Sequence, residues 1–285
     1  MQAILMVNSK QECNLRCLHC YLPYGGMRTP EDALETTKQL QDHGHQVIIA
    51  GSETLVDPSY LKAYQQAGQK YLLTNGILLH RDNYLYDALQ EHGIKAIRSS
   101  IHFGLEDELR SASPYTVAEV LGKAQQRGIR TEVSTTITPN NYLDVQGMCK
   151  IAKGYGVSSI QFLKMIKSGR GIDRETLNPE QILEFFDLVQ EARTRYSKDD
   201  LDIRVHGNFS ARPGSKGEKS ASRNCYCNGG KSIVAIDPDD KVYSCPFTMG
   251  PDAVIGHLNK GEIVIERELF SNKRDRCIAD LVSEM

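Results

Sequence analysis

The 285-residue sequence has no tryptophan, only 7% aromatic residues and almost no net charge: 34 Lys plus Arg oppose 36 Asp plus Glu, leaving -2 at pH 7. That balance offers no overall attraction to nucleic acid or to an anionic membrane surface, and no basic helix or interleaved aromatic run supplies a nucleic-acid site locally. No apolar stretch approaches the roughly 20 residues a membrane span needs. The opening Met1 to Asn8 lacks the basic region and cleavage site of a signal peptide. Internal repeats and long low-complexity segments are missing as well. The expected compartment is a reducing cytoplasm, where eight cysteines point to metal ligation rather than disulfides. With 40% hydrophobic residues, the chain suffices for one large domain or a large and a small one.

Proline follows a capping residue at Thr29-Pro30, Asp57-Pro58, Ser113-Pro114 and Asn178-Pro179. The capping oxygen satisfies an orphan amide and proline pre-sets the first helical φ, so each pair marks a helix start. Helices are predicted over about 30–43, 58–67, 81–92, 114–127, 141–155 and 179–196, with Gly93 and Gly128 placed for left-handed caps. Apolar or β-branched runs lie between them: Ala3 to Val7, Gln46 to Ala50, Tyr71 to Thr74, Ala96 to Ile101, Thr131 to Ile137 and Ser159 to Leu163. This alternation implies right-handed βαβ units and a parallel sheet, either doubly wound or a barrel that stops short of eight strands. In both, chemistry belongs at the C-terminal strand ends.

After about Leu201 the pattern changes. A polar loop, Arg212 to Asn224, precedes a hairpin signal: Ser232 to Ile236, the turn Asp237-Pro238-Asp239-Asp240, and Lys241 to Ser244. The expected organisation is a β/α part over residues 1–205 and a small α+β appendage over 206–285.

Cys13-Asn14-Leu15-Arg16-Cys17-Leu18-His19-Cys20 puts three thiols in the loop after the first predicted strand. Three thiolates can wrap one cluster and leave a metal with an open position, whereas zinc's common sets supply four ligands. A structural zinc loop or three core thiols is the plainer alternative. The spacing, with His19 before the last Cys, resembles the signature of the radical S-adenosylmethionine (SAM) superfamily. The resemblance implies a partial (β/α)6 TIM-like barrel and a [4Fe-4S] cluster on Cys13, Cys17 and Cys20. It also implies that SAM is chelated at the open iron and reductively cleaved to methionine and a 5′-deoxyadenosyl radical, with a flavodoxin- or ferredoxin-type electron donor.

Later strand ends extend the likeness. Gly51-Ser52-Glu53 is similar to the family's Gly-Gly-Glu loop, where exposed carbonyls or Glu53 can accept from the SAM ammonium; an ordinary βα turn is the bland reading. Thr74-Asn75-Gly76 resembles the family's turn near the ribose and methionine of SAM. By the same likeness Ser100 bonds SAM, Arg110 meets its carboxylate, and Leu163 and Met165, ahead of Gly169-Arg170-Gly171, hold the adenine. His102 stands where the family often has Asp and can bind substrate, relay a proton or serve as a satisfied structural histidine. Cys149, spaced with Val145, Met148 and Ala152, reads as core.

Cys225, Cys227, Cys245 and Cys277 form a second set. Cys227, Asn228-Gly229-Gly230, the Pro238 turn and Cys245-Pro246 resemble the family's SPASM/twitch extension. With only these Cys the shorter twitch version, holding one auxiliary iron-sulfur cluster of [4Fe-4S] type, is implied. Asp240 replaces the usual Gly there. Cys277 is either the last ligand or a free thiol that donates a hydrogen atom.

Lys164, Lys167, Arg170, Arg174, Arg212, Lys216, Lys219 and Arg223 suggest a cationic rim, or else a solvated loop. The expected function is hydrogen abstraction from a substrate C–H, giving dehydrogenation or epimerisation of a small polar, anionic, sugar-like molecule. Maturation of a ribosomally made peptide, by thioether or carbon–carbon cross-linking or epimerisation, is the alternative within the family. An iron-sulfur electron carrier without SAM chemistry is the alternative outside it. A first strand starting at residue 3, with no peptide-recognition domain before it, favours a small molecule or a peptide presented by a separate partner. No nucleic-acid or membrane partner is expected.

Overall fold

The computed structural model describes residues 1–9, 11–23, 25–102, 113–209 and 228–269, together with 277, 279 and 282. Seven parallel strands run β1 (Gln2–Met6), β2 (Gln46–Ala50), β3 (Tyr71–Thr74), β4 (Ala96–Ser100), β5 (Arg130–Ile137), β6 (Ser159–Lys164) and β7 (Asp202–Val205). The described helices between them are α1 (Pro30–Asp42), α2 (Leu61–Gln66), α3 (Ile77–Arg81), α4 (Tyr84–Glu91), α5 (Pro114–Gln126), α6 (Val145–Gly154) and α7 (Pro179–Arg195). The result is an α/β fold with a curled parallel sheet.

Every predicted capping pair starts a helix. Thr29 accepts from the Asp32 amide at 3.1 Å, Ser113 from Tyr115, and Asn178 forms a reciprocal capping box with Gln181. Asp57 caps a 3-10 turn that runs into α2. Gly93 and Gly128 adopt φ of +75° and +72°, as left-handed caps require. The helix predicted over 81–92 is α4, and a short helix not anticipated, α3, precedes it: Asp82 is extended and its carboxylate accepts from the Tyr84 amide at 2.9 Å, so the helix restarts there.

The seventh strand was not anticipated. Its four residues, Asp-Ile-Arg-Val, alternate too briefly to register as a strand, yet they pair with β6 from Ser159↔Asp202 to Phe162↔Val205. Topological change therefore comes one strand later than the sequence pattern suggests.

Backbone pairing is interrupted once, between β2 and β3, where two sheets meet. The buried Gln69 side chain fills the seam: its Oε1 accepts from the Ile49 amide at 2.7 Å, and its Nε2 donates to the carbonyls of Ile49 (3.1 Å) and Tyr71 (3.0 Å). A side-chain amide thus substitutes for a strand partner at Ile49 and Tyr71.

The predicted hairpin forms as β8 (Ile233–Ile236) and β9 (Lys241–Tyr243), joined by β10 (Val254–Asn259) and β11 (Glu262–Ile265) in antiparallel order. Strand β8 pairs in parallel with β1, so the sheet order is β11-β10-β9-β8-β1-β2. Val234, Ile236, Val242 and Ile255 share one core with Leu5, Val47, Tyr64 and Leu72. A second core under α5, α6 and α7 holds Val133, Phe162 and Phe185, together with Cys149, as its spacing predicts.

On the opposite strand face, inside the curl, charged residues bond in a row. Glu132 accepts from Arg98 Nε at 3.0 Å and from Arg130 at 3.1 Å, Arg204 lies 3.5 Å away, and Arg98 also donates to Gln161.

Candidate functional site

The loops after β1, β2, β3, β4 and β6 converge at the C-terminal edge of the sheet. The longest, residues 7–29, carries Cys13, Cys17 and Cys20, all partly exposed thiols. Asn8, only 1% exposed, anchors its start: its Oδ1 accepts from the Ser52 amide at 2.8 Å, and its Nδ2 donates to the Glu53 carbonyl at 2.9 Å. A Cβ on Gly51 would come within 2.1 Å of Asn8 Oδ1, so only glycine lets the second loop lie this close.

Glu53 is 1% exposed, and its carboxylate accepts from the Asn75 amide (2.6 Å), from Thr74 Oγ1 (3.0 and 3.1 Å) and from the Leu55 amide (3.2 Å). Asn75 in turn donates to Asn14 Oδ1 at 2.6 Å and approaches Cys13 Sγ at 3.9 Å. The first three loops are thus one hydrogen-bonded unit, with Gly51, Ser52, Glu53, Thr74 and Asn75 brought beside the cysteines.

From the far side of the sheet, the segment after β6 closes on the same loop. Arg170 donates from Nε to the Cys17 carbonyl and from its backbone amide to the Cys20 carbonyl, both at 2.8 Å. Gly169 (φ +60°) leaves no room for a side chain: a Cβ there would lie 2.5 Å from the Cys20 carbonyl and 2.7 Å from that of Leu22. Gly171 is equally tight against Met165 and the Ile166 carbonyl. Arg170 belongs to the loop's scaffold and is not an open member of a cationic rim. Lys164 is buried, and Arg174 shares a cleft with Asp173 and Glu175. Arg212, Lys216, Lys219 and Arg223 lie outside the described residues.

Among the described residues, no three His, Cys, Asp or Glu side chains converge on a single ion. Ligands of a multi-iron cluster each meet a different iron, so they stand apart by more than a mononuclear site allows. The cradle fits such a group: three thiols on one loop whose backbone is held by Arg170 and by the flush Gly169, with the Leu15 amide 3.4 Å from Cys13 Sγ. Burial raises the Cys13 thiol above its ordinary value, with the Leu15 amide opposing, a cost that coordination to a metal would offset.

His102 is 1% exposed. Its Nδ1 accepts from the Thr136 amide at 3.4 Å, and its ring meets that of His19 edge-on at 4.4 Å. Ser100 and Leu163 are half-buried at the ends of β4 and β6, while Met165 lines a cleft of about 240 Å³ with Thr138, Asn140 and Asp173. Arg110, Cys225 and Cys227 lie outside the described residues. Cys245 follows β9, and buried Cys277 packs with Ile166. Tyr21 packs against that group and meets Phe247 edge-on at 4.7 Å; burial, with Cys20 and Cys245 nearby, pushes its phenol pKa upward. Asn8 and the anchoring role of Arg170 went unread. A buried Asn directly after an apolar strand was the available signal for the first, whereas Arg170 looked like any loop cation.

Residues 7–152 match the radical SAM superfamily model. The chain belongs to that superfamily. Over 267 residues it is 25% identical to the mycofactocin maturase MftC of Mycobacterium ulcerans (strain Agy99), covering 86% of this chain and 69% of that protein. It is 26% identical over 208 residues to the Fe-coproporphyrin III synthase of Methanosarcina barkeri (strain Fusaro / DSM 804), covering 67% of this chain but only 51% of that one. Its fold matches SuiB of Streptococcus suis, crystallised with the precursor peptide SuiA, at a TM-score of 0.72 and 14% identity, covering 92% of this chain and 62% of SuiB.

Proposed function

We propose that this radical SAM enzyme modifies a ribosomally made peptide by hydrogen abstraction from one of its C–H bonds. The observation that carries the SAM reading is the unit of Asn8, Glu53, Asn75 and Arg170 around Cys13, Cys17 and Cys20. In this reading those three thiols hold the [4Fe-4S] cluster. When bound, the cluster and SAM together supply reductive cleavage to methionine and a 5′-deoxyadenosyl radical.

The chain's own residues then bind and orient. Carbonyls and Ser52 in the second loop would receive the SAM ammonium, Glu53 keeps that loop registered to Thr74 and Asn75, and Ser100 and Arg110 would contribute further SAM contacts. Leu163 and Met165 would hold the adenine, with Met165 lining the cleft beside Asn140. His102 acts through His19, fixing the ring next to Cys20, and is read as a positioning residue.

The part beyond residue 205 is proposed as a twitch-type module holding an auxiliary cluster through Cys225, Cys227, Cys245 and Cys277, with Cys277 alternatively a hydrogen donor. Similarity to a maturase along most of the chain, and a fold shared with a peptide-bound structure, support a peptide over a small sugar-like substrate. So does the engagement of Lys164 and Arg170, which removes two members of the expected rim.

The test is anaerobic reconstitution with reductant and SAM. The native chain forms 5′-deoxyadenosine, and the triple variant Cys13→Ala/Cys17→Ala/Cys20→Ala loses that product together with about four irons per chain. Retention of both in the variant overturns the assignment, and no 5′-deoxyadenosine from the native chain favours the electron carrier. Deuterium transfer into 5′-deoxyadenosine from a labelled peptide encoded beside the gene, but not from labelled sugar nucleotides, marks the substrate class.

A further inference from the structure

We infer that the turn of the C-terminal hairpin is part of the clamp on the cysteine loop, through an Arg28–Asp240 lock. Arg28 closes the neck of that loop: its amide donates to the Val7 carbonyl at 2.9 Å, beside the bridge between Asn8 and Met27, and its carbonyl accepts from Tyr60. Its side chain, 3% exposed, forks. One nitrogen donates to Asp32 at 2.9 Å in the first turn of α1; the other reaches the Asp237 carbonyl at 2.9 Å and Asp240 Oδ1 at 2.5 Å across the hairpin turn.

Asp240 is a non-glycine residue at φ +65°, a conformation that L side chains adopt reluctantly and Asp tolerates better than most. Glycine would sit there without strain; what the aspartate adds is the carboxylate that Arg28 meets. The turn itself is rigid, because buried Asp237 accepts from the amides of Asp239 and Lys241 and from Tyr243. Turn and loop face each other across a narrow cleft between Ser9, Leu22 and Gly25 on one side and Pro238 and Asp239 on the other. A planar guanidinium bridges Asp32, the Asp237 carbonyl and Asp240 in this way, whereas an ammonium is a single point charge. Residues some 210 positions apart therefore set the neck of the cysteine loop together.

The lock does not depend on the cluster reading, so the test begins on the metal-free full chain. Asp240→Gly keeps the left-handed backbone but removes the acceptor; Asp240→Asn keeps both the backbone and a neutral acceptor. Expected is hydrogen exchange in residues 9–27 about tenfold faster for Asp240→Gly, less for Asp240→Asn, with α7 unchanged. Unchanged exchange in 9–27, or an equal rise everywhere including α7, overturns the lock. In the reconstituted chain, Asp240→Gly also releases iron to chelator faster than the native protein. A native chain that takes up no iron would refute the cluster reading while leaving the exchange result standing.

Discussion

Gly169 shows how a single residue decides whether two loops can touch. Its missing side chain lets the strand-six segment press against the carbonyls of Cys20 and Leu22, both of them backbone atoms that cannot swing away. Gly169→Ala is expected to cost about 2 kcal/mol or more, from the left-handed backbone and the clash together, and to lower the iron retained after reconstitution. Gly122→Ala, within α5 and with no described atom near its new methyl, is expected to stabilise by about 0.5–1 kcal/mol. Urea unfolding with iron analysis compares them, and equal effects would remove the steric argument. The same scale shows charged residues used for scaffold: Glu53 and Arg170 both lie beside the cysteines, yet Glu53 is engaged by Thr74, Asn75 and Leu55, and Arg170 by the Cys17 carbonyl.

Among the elements, the seam between β2 and β3 is the least ordinary. Gln69 supplies both the donor and the acceptor that a strand neighbour would have given Ile49. Gln69→Ala leaves a buried amide and a buried carbonyl unpaired, at about 1–3 kcal/mol each, so a loss of about 3 kcal/mol is expected in denaturant unfolding, with faster hydrogen exchange at the Ile49 amide. A loss below about 0.5 kcal/mol would mean that water or a shifted strand takes over the pairing. The helices obey local rules more closely: each predicted cap starts where proline follows it, because the capping bond and the φ constraint act within one turn.

At the scale of the whole molecule, the appendage is continuous with the barrel. β8 extends the sheet at β1, and Val234, Ile236, Val242 and Ile255 are buried in the core that also holds Leu5 and Val47. Each fully buried aliphatic contributes about 1.5–3 kcal/mol, so the four together rival the net stability of a typical domain. Calorimetry of the full chain is therefore expected to show one cooperative transition, and a fragment ending at residue 205 is expected not to fold alone. A soluble 1–205 fragment with native circular dichroism would sink this expectation. The boundary near 205 marks a change of topology, not a division between two cores.

Local chemistry was legible directly. Caps, the positions of the strands through β6, the Pro238 hairpin and the cysteine spacing all depend on residues within a few positions of one another, and the sequence by itself determined them; the order of the strands was left open between two architectures. The short β7, the attachment of β8 to β1, the Gln69 seam and the Arg28–Asp240 lock were decided only by tertiary structure. In each of these, a hydrogen-bonding group finds its partner far along the chain, and no periodicity or spacing records that meeting. The cysteine loop belongs to both levels: its thiols stand close together in sequence, but the residues that hold it still come from the loops after β1, β2, β3 and β6 and from the distant hairpin turn.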